Sequence, residues 1–153
     1  MNNKKAKDIM TTDVIVAKKG DTIANVAKIL ISGKIGGLPV IDEENKVIGI
    51  ISETDIIKKE KRAHSTPFIN VLEGIIFLDD INKMEKDLRD IAAYKVEELM
   101  SKNIVKVSED EDFDDVANIM IKKSINRVPV VDEHNTLKGI ICRYDIIKAM
   151  YNE

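Results

Sequence analysis

Leu38-Pro39-Val40-Ile41-Asp42, followed by Gly49-Ile50-Ile51-Ser52-Glu53-Thr54-Asp55-Ile56-Ile57, returns ninety residues later as Val128-Pro129-Val130-Val131-Asp132 and Gly139-Ile140-Ile141-Cys142-Arg143-Tyr144-Asp145-Ile146-Ile147. Extended outward, the match runs without a gap from Lys5–Lys58 onto Lys95–Lys148, and 19 of the 54 aligned pairs are identical. Composition alone would give about one identity in fifteen. The chain therefore carries an internal duplication, and its fold is that of one repeat used twice.

Each repeat reads as β-α-β-β-α. A short β-prone run (Val14-Ile15-Val16; Ile104 to Val107) precedes an acidic helix-start signal, Asp21 in the first repeat and Asp110 to Asp112 in the second. Apolar residues then recur at i, i+3, i+4, i+7 (Ile23, Val26, Ala27, Leu30; Phe113, Val116, Ala117, Met120), the signature of an amphipathic helix. Two apolar runs separated by Asp42-Glu43-Glu44-Asn45 or Asp132-Glu133-His134-Asn135 make a β-hairpin. Pro39 and Pro129 lack the N–H a ladder needs, which predicts a strand start, a bulge or an edge for them. A second helix begins near Ser52 and Cys142.

A repeat this small buries too little apolar surface to stand comfortably alone. The expectation is an α+β fold in which two repeats pack through their small sheets with pseudo-two-fold symmetry. The domains are then residues 5–58, an insertion over 59–94, and residues 95–150. The insertion opens on Lys59-Glu60-Lys61-Arg62, passes Pro67 and an apolar stretch, Gly74 to Leu78, and closes with a helical pattern, Ile81, Met84, Leu88, Ile91. It is too apolar for a free linker and is expected to dock on the paired core.

Composition narrows the function classes. With 153 residues, 44% hydrophobic, 33% charged and a net charge of −3, the chain is a folded, mildly acidic protein. Aromatics at 4% and the lack of Trp argue against a single-strand nucleic-acid binder, which needs a basic groove and stacking rings. No apolar run approaches the roughly 18 residues of a membrane helix, and Met1-Asn2-Asn3-Lys4-Lys5 does not lead into a signal core. A cytoplasmic protein is expected, with no membrane and no nucleic acid among its partners. The single cysteine, Cys142, excludes an intrachain disulfide and a zinc site built on clustered thiolates. No Gly-rich phosphate loop, nucleophile elbow or His-Glu-x-x-His helix is present, so no enzyme activity is expected. His134 falls in a hairpin turn and His64 in the charged insertion, both as solvated residues; Lys4, Lys5 and Lys7 read as solvating a mobile terminus.

The chemistry concentrates in Ser52-Glu53-Thr54-Asp55 and its counterpart Cys142-Arg143-Tyr144-Asp145. A carboxylate at a helix start can accept from both hydroxyls of a cis-diol, which suits a ribose, while free helix N–H groups favour a phosphate. The same residues also fit a capping box, in which Ser52 accepts from the backbone N–H of Asp55 and the Asp55 carboxylate reaches back to Ser52. Cys142 is a poor cap, yet Asp145 persists, and attraction to the helix dipole would keep it too. Both readings stay open.

Met10 after a short lead, the helix, the hydrophobic-Pro-Val-hydrophobic-Asp strand and the Gly49 to Ile57 ending resemble a CBS domain, and two in tandem resemble a Bateman module. The resemblance covers both repeats, about two thirds of the chain. It implies a regulatory module that binds an adenosine-containing ligand (AMP, ADP, ATP or S-adenosylmethionine, with AMP and ATP foremost) in the cleft between repeats, and that often forms homodimers. The residues it implicates are Ser52, Asp55, Asp145, Arg127, Asn126, Gly37, Pro39 and Pro129. Asn126-Arg127 stands where the first repeat has Gly36-Gly37, so the two half-sites are expected to differ, with Arg127 as a bidentate phosphate clamp or a solvated surface residue. No catalytic or metal residue is implied. The alternative is a ligand-free dimerisation or protein-docking module whose contact surface is the apolar stretch Ile75, Ile76, Phe77 and Leu78. A small nucleotide hydrolase is a third, weaker option. Two repeats and one insertion fill the length, so any output is expected to pass through an effector protein.

Overall fold

The computed structural model describes residues 4–63 and 90–151. His64, Pro67, the apolar stretch Gly74–Leu78 and most of the insertion's closing helix lie outside the described residues; of that helix, residues 90–93 are helical and Ile91 is buried.

The elements follow the duplication. The first repeat contains α1 (Ala6–Ile9), β1 (Ala17–Lys18), α2 (Ile23–Gly33), β2 (Gly37–Ile41), β3 (Val47–Ser52) and α3 (Glu53–Ala63). The second contains α4 (Val96–Leu99), β4 (Val107–Ser108), α5 (Phe113–Lys122), β5 (Arg127–Val131), β6 (Leu137–Cys142) and α6 (Arg143–Tyr151). Two three-stranded sheets result, ordered β1-β2-β3 and β4-β5-β6. In the second sheet β4 pairs parallel with β5 and β5 antiparallel with β6, so the sheet is mixed.

Local chemistry accounts for most of this. The apolar stripes of α2 and α5 are the buried ones, Ile23, Val26 and Leu30 in one and Phe113, Val116 and Met120 in the other. Lys34 and Ser124, just past those helices, take left-handed backbone (φ 51 and 53), as do the aligned turn residues Asn45 and Asn135 (φ 62 and 65). Asn tolerates that conformation better than most residues. Asp42 and Asp132 complete the turns: one oxygen of each accepts two backbone N–H groups, from Glu44 and Lys46 and from His134 and Thr136.

Two expectations need correction. The first strand of each repeat is a two-residue piece at Ala17–Lys18 or Val107–Ser108, beyond the β-prone run at Val14–Val16 in the first repeat. The prolines sit at strand centres, fully buried, and not at a start, bulge or edge. The second sheet shows why. Pro129 faces Ile140, whose N–H and C=O are both spent on Thr11, so β6 asks Pro129 for no donor. On its other flank β4 pairs only with Val130 and Val131, so the missing N–H costs no ladder bond and keeps β4 short.

By spatial contact the chain forms two compact units that are not contiguous in sequence. One comprises Ala17–Val40 and Gly49–Lys102; the other comprises Met1–Val16, Ile41–Ile48 and Asn103–Glu153. In the latter, the lead of the first repeat completes the second repeat. Ala6 belongs to the buried cluster of Val107, Val116, Met120, Val128, Val130 and Ile141, with Ile9 and Met10 packed against it. Thr11 exchanges backbone hydrogen bonds with Ile140 (2.9 and 3.0 Å). The hairpin tip Ile41–Ile48 joins the same unit through Val47 N–H to Asn135 O (3.2 Å) and Leu137 N–H to Asn45 O (3.0 Å). The other unit is built alike: Val96 of the second lead is fully buried, its N–H donates to Asp21 O, and Ser101 exchanges hydrogen bonds with Ile50.

Lys5 and Lys7 remain exposed, but each is ion-paired to the second repeat and does not belong to a free terminus. Lys5 Nζ lies 2.5 Å from Asp112 and Lys7 Nζ 2.7 Å from Asp110, and each bond raises its lysine's pKa. Lys4 Nζ donates to Ala149 O at 3.0 Å.

Candidate functional site

The two aspartates stand one turn into α3 and α6, and their first task is local. Asp145 Oδ2 accepts the N–H of Cys142 at 2.7 Å. Asp55 Oδ2 accepts both the N–H of Ser52 at 2.9 Å and its hydroxyl at 3.1 Å. The carboxylate half of the capping box is therefore present in both repeats. The serine half is not: Ser52 Oγ turns to the carboxylate and away from the Asp55 N–H. Every one of these bonds goes to Oδ2, so the second oxygen of each aspartate has no hydrogen-bond partner among the described residues. Capping and ligand binding thus use different oxygens of the same group.

Asp145 lines a cavity of about 330 Å³ together with Lys4, Asp8, Met10, Thr11 and Lys148. Its walls are α6 and the lead of the first repeat, within one compact unit. That volume falls in the range of small-molecule sites, about 300–1,000 Å³. Arg127 opens β5, half-buried, with its Cα paired to that of Cys142 across the sheet. Cys142 therefore lies between Arg127 and Asp145. Burial pushes its thiol up, the Asp145 charge adds to the shift, and the Arg127 guanidinium opposes it. A raised thiol leaves little thiolate at neutral pH.

The remaining sequence candidates are placed as follows. Asn126 is exposed, and its carbonyl accepts the first N–H of α6, from Arg143, at 3.2 Å. Gly36 does the same for α3, accepting from Glu53 at 2.9 Å, which leaves Gly37 buried at the start of β2. Pro39 and Pro129 present no surface. His134 is exposed in its turn beside Glu133. Among the described residues no group of three metal-ligating side chains comes together, and no helix is long and apolar enough to cross a membrane.

Sequence reasoning missed Lys4, Asp8, Met10, Thr11 and Lys148, because it assigned the lead to its own repeat. The ninety-residue counterparts of this cavity's lining are Tyr94, Glu98, Met100, Ser101, Asp55 and Lys58. There Lys59 Nζ stands 4.7 Å from the centre of the Tyr94 ring, a cation–π contact where the other repeat has the Lys4–Ala149 hydrogen bond. The two aspartates are therefore equivalent in backbone and unequal in surroundings.

A family model described as the CBS domain matches residues 6–62 and 96–152. An uncharacterized protein of Methanocaldococcus jannaschii, MJ1426, is 32% identical over 152 residues, covering 94% of this chain and 89% of its own. Several further relatives are longer, and the chain spans about half of their length or less. Among solved structures, the CBS domain pair of protein MJ0100 in complex with 5′-methylthioadenosine and S-adenosyl-L-methionine is 33% identical, with a TM-score of 0.70 and coverage of 96% of this chain and 95% of that one. CBSX2 of Arabidopsis thaliana in complex with AMP superposes with a TM-score of 0.73 at 23% identity, covering 95% of each chain, and shares the fold.

Proposed function

Because the chain belongs to the CBS-domain family, we propose that it is a regulatory module sensing an adenosine-containing ligand, bound where the lead of one repeat meets the helix start of the other. The observation that carries this reading is Asp145: one carboxylate oxygen holds the helix start, the other has no hydrogen-bond partner among the described residues, and the residue lines a cavity of about 330 Å³ that also holds Lys148 and Thr11. A free carboxylate oxygen accepts from a ribose diol, and Lys148 with Arg127 supplies positive charge for a phosphate. That a 33% identical domain pair was solved with two adenosine derivatives supports the same ligand class. AMP or ATP is the proposed ligand, with Asp145 marking the stronger half-site and Asp55 with Ser52 the weaker.

Binding at this place ties α6 to the lead, so its output is a change in packing that an effector protein reads, and the module itself performs no chemistry. The same reading puts it in the cytoplasm, where a lone thiol such as Cys142 stays reduced, and gives it a homodimeric state. A thermal-shift panel of AMP, ADP, ATP and S-adenosylmethionine tests the ligand class. At 100 times Kd the gain is about 2.7 kcal/mol, or several degrees at roughly 2 to 4 °C per kcal/mol. A flat response to every member at millimolar ligand overturns it.

A further inference from the structure

The cavity at Asp145 holds a second carboxylate. Asp8 of α1 lines it from the wall formed by the lead, and like Asp145 it spends one oxygen on a cap: Asp8 Oδ2 accepts the Lys5 N–H at 2.8 Å. Its other oxygen has no hydrogen-bond partner among the described residues. The arrangement repeats with the duplication. Glu98 aligns with Asp8 and accepts the Lys95 N–H through Oε2 at 2.7 Å, as Asp55 accepts that of Ser52. Each repeat thus carries one capping carboxylate on its lead and one at its second helix start, each with a single oxygen committed to the backbone.

The anchors of the lead set where Asp8 stands. Lys4 Nζ bonds to Ala149 O in the last turn of α6, while Thr11 exchanges hydrogen bonds with Ile140 of β6. The lead therefore runs antiparallel to the β6–α6 segment, and Asp8, between these anchors, comes alongside the first turn of α6, where Asp145 stands. A ribose cis-diol presents two donors, and Asp145 meets them with one uncommitted oxygen because Oδ2 belongs to the Cys142 N–H. A hydroxyl left unpaired on burial costs affinity, and two ionised carboxylates sharing a cavity repel each other unless donors stand between them. A diol placed between the two meets both conditions, each hydroxyl donating to one uncommitted oxygen in a charge-assisted bond.

We propose that Asp8 is a second ribose-binding residue: in the half-site at Asp145 the two hydroxyls of the diol go to two different carboxylates, one to Asp145 and the other to Asp8. This rests on the adenosine-ligand reading above and makes the site specific for an intact diol, against its 2′-deoxy and 3′-deoxy counterparts.

Isothermal titration calorimetry of the full chain with AMP, 2′-deoxy-AMP and 3′-deoxy-AMP tests it, with Asp55→Asn in the background so that one half-site is read and circular dichroism as a check on folding. With Asp8 and Asp145 intact, each deoxy ligand is expected to bind about tenfold or more weaker than AMP. Asp8→Asn keeps an oxygen for the Lys5 N–H; it should weaken AMP about tenfold and become indifferent to the loss of one hydroxyl only. Asp145→Asn, titrated at higher ligand concentration, should become indifferent to the loss of the other. A wild type that binds no AMP overturns the ligand reading and this inference together. AMP binding that vanishes in Asp55→Asn overturns the inference and leaves the ligand class standing. So does an Asp8→Asn variant that keeps both deoxy penalties, whether or not AMP itself weakens, or one that becomes indifferent to the same hydroxyl as Asp145→Asn.

Discussion

Met10 Sδ lies 2.5 Å from the point where a side chain on Gly139 would begin, and Met100 Sδ stands at the same distance from the corresponding point on Gly49. Each methionine comes from the lead of one repeat and each glycine from the third strand of the other. A glycine is needed there because a Cβ would occupy the space the methionine fills. The lead docks at full packing depth only over a bare backbone.

Gly139→Ala should therefore destabilise the protein by about 1–3 kcal/mol through overpacking, seen as a drop of several degrees in Tm. The three nearest atoms at this position all belong to Met10, so the penalty should shrink in a Met10→Ala background. At Gly49 the backbone carbonyl of Ser101 also lies 2.9 Å from the would-be Cβ. Met100→Ala should relieve Gly49→Ala less. Equal relief at both positions would contradict this packing account.

Asp145→Asn keeps an oxygen that can accept the Cys142 N–H, whereas Asp145→Ala removes it. Both should lose most of the thermal response to an adenosine ligand. In the absence of ligand, only Asp145→Ala should lower Tm, by about 1 kcal/mol in stability as for other lost helix-start caps. A full ligand response in Asp145→Asn would show that the charge of Asp145 plays no part in binding.

Cys142 should react slowly with a thiol reagent near neutral pH, its rate climbing through the alkaline range because burial and Asp145 raise its pKa above the ordinary 9.0. Asp145→Asn removes a raising charge and should shift the rate profile to lower pH; Arg127→Ala removes an opposing one and should shift it higher. Profiles that move the other way, or that do not move, would refute the placement of Cys142 between the two charges.

Acid should weaken the docked leads. The Gly20 N–H donates to Glu97 Oε2 at 2.9 Å and holds that carboxyl below its ordinary 4.5; Lys7 does the same to Asp110. A carboxyl with a lowered folded pKa binds its proton first in the unfolded chain. Its stabilisation is therefore present above the unfolded pKa and is lost as pH falls through the folded one. Denaturation midpoints measured from about pH 5 to about pH 3 should decline less steeply in Glu97→Gln than in the wild type. An unchanged slope would remove Glu97 from the account.

Lys7→Glu places a carboxylate beside Asp110 at an exposed contact, so its cost should be small, below about 1 kcal/mol, and should fade as salt is added. Adding Asp110→Lys should recover it. A large, salt-independent loss would mean that Lys7 acts through packing and not through its charge.

Much of the fold is legible in single stretches of chain. The stripe Ile23, Val26, Leu30 announces which face of α2 is buried, and Asp42 with Asn45 announces the turn, because helix period and turn chemistry are local properties. The prolines misled, because whether a missing N–H matters depends on how far a neighbouring strand reaches. The exchange of leads left a trace that contiguous reading passes over. Lys7 of one lead aligns with Glu97 of the other, and Asp110 aligns with Gly20. Docked on its own repeat, Glu97 would meet Asp110, carboxylate against carboxylate; docked on the other, it accepts the Gly20 N–H while Lys7 pairs with Asp110.

By itself the sequence determined the duplication, the α+β repeat, the amphipathic faces and the identity of the two aspartates. Only the tertiary structure decided what covers each face. It sends the first lead to the second repeat, so that Met10 meets Gly139 and the cavity at Asp145 acquires Lys4 and Thr11, and it gives the capping bonds of each aspartate to one oxygen, leaving the other without a partner among the described residues. The reason is physical: periodicity records that a surface must leave water, while the choice of the surface that covers it is made by shape and charge between segments distant in the chain.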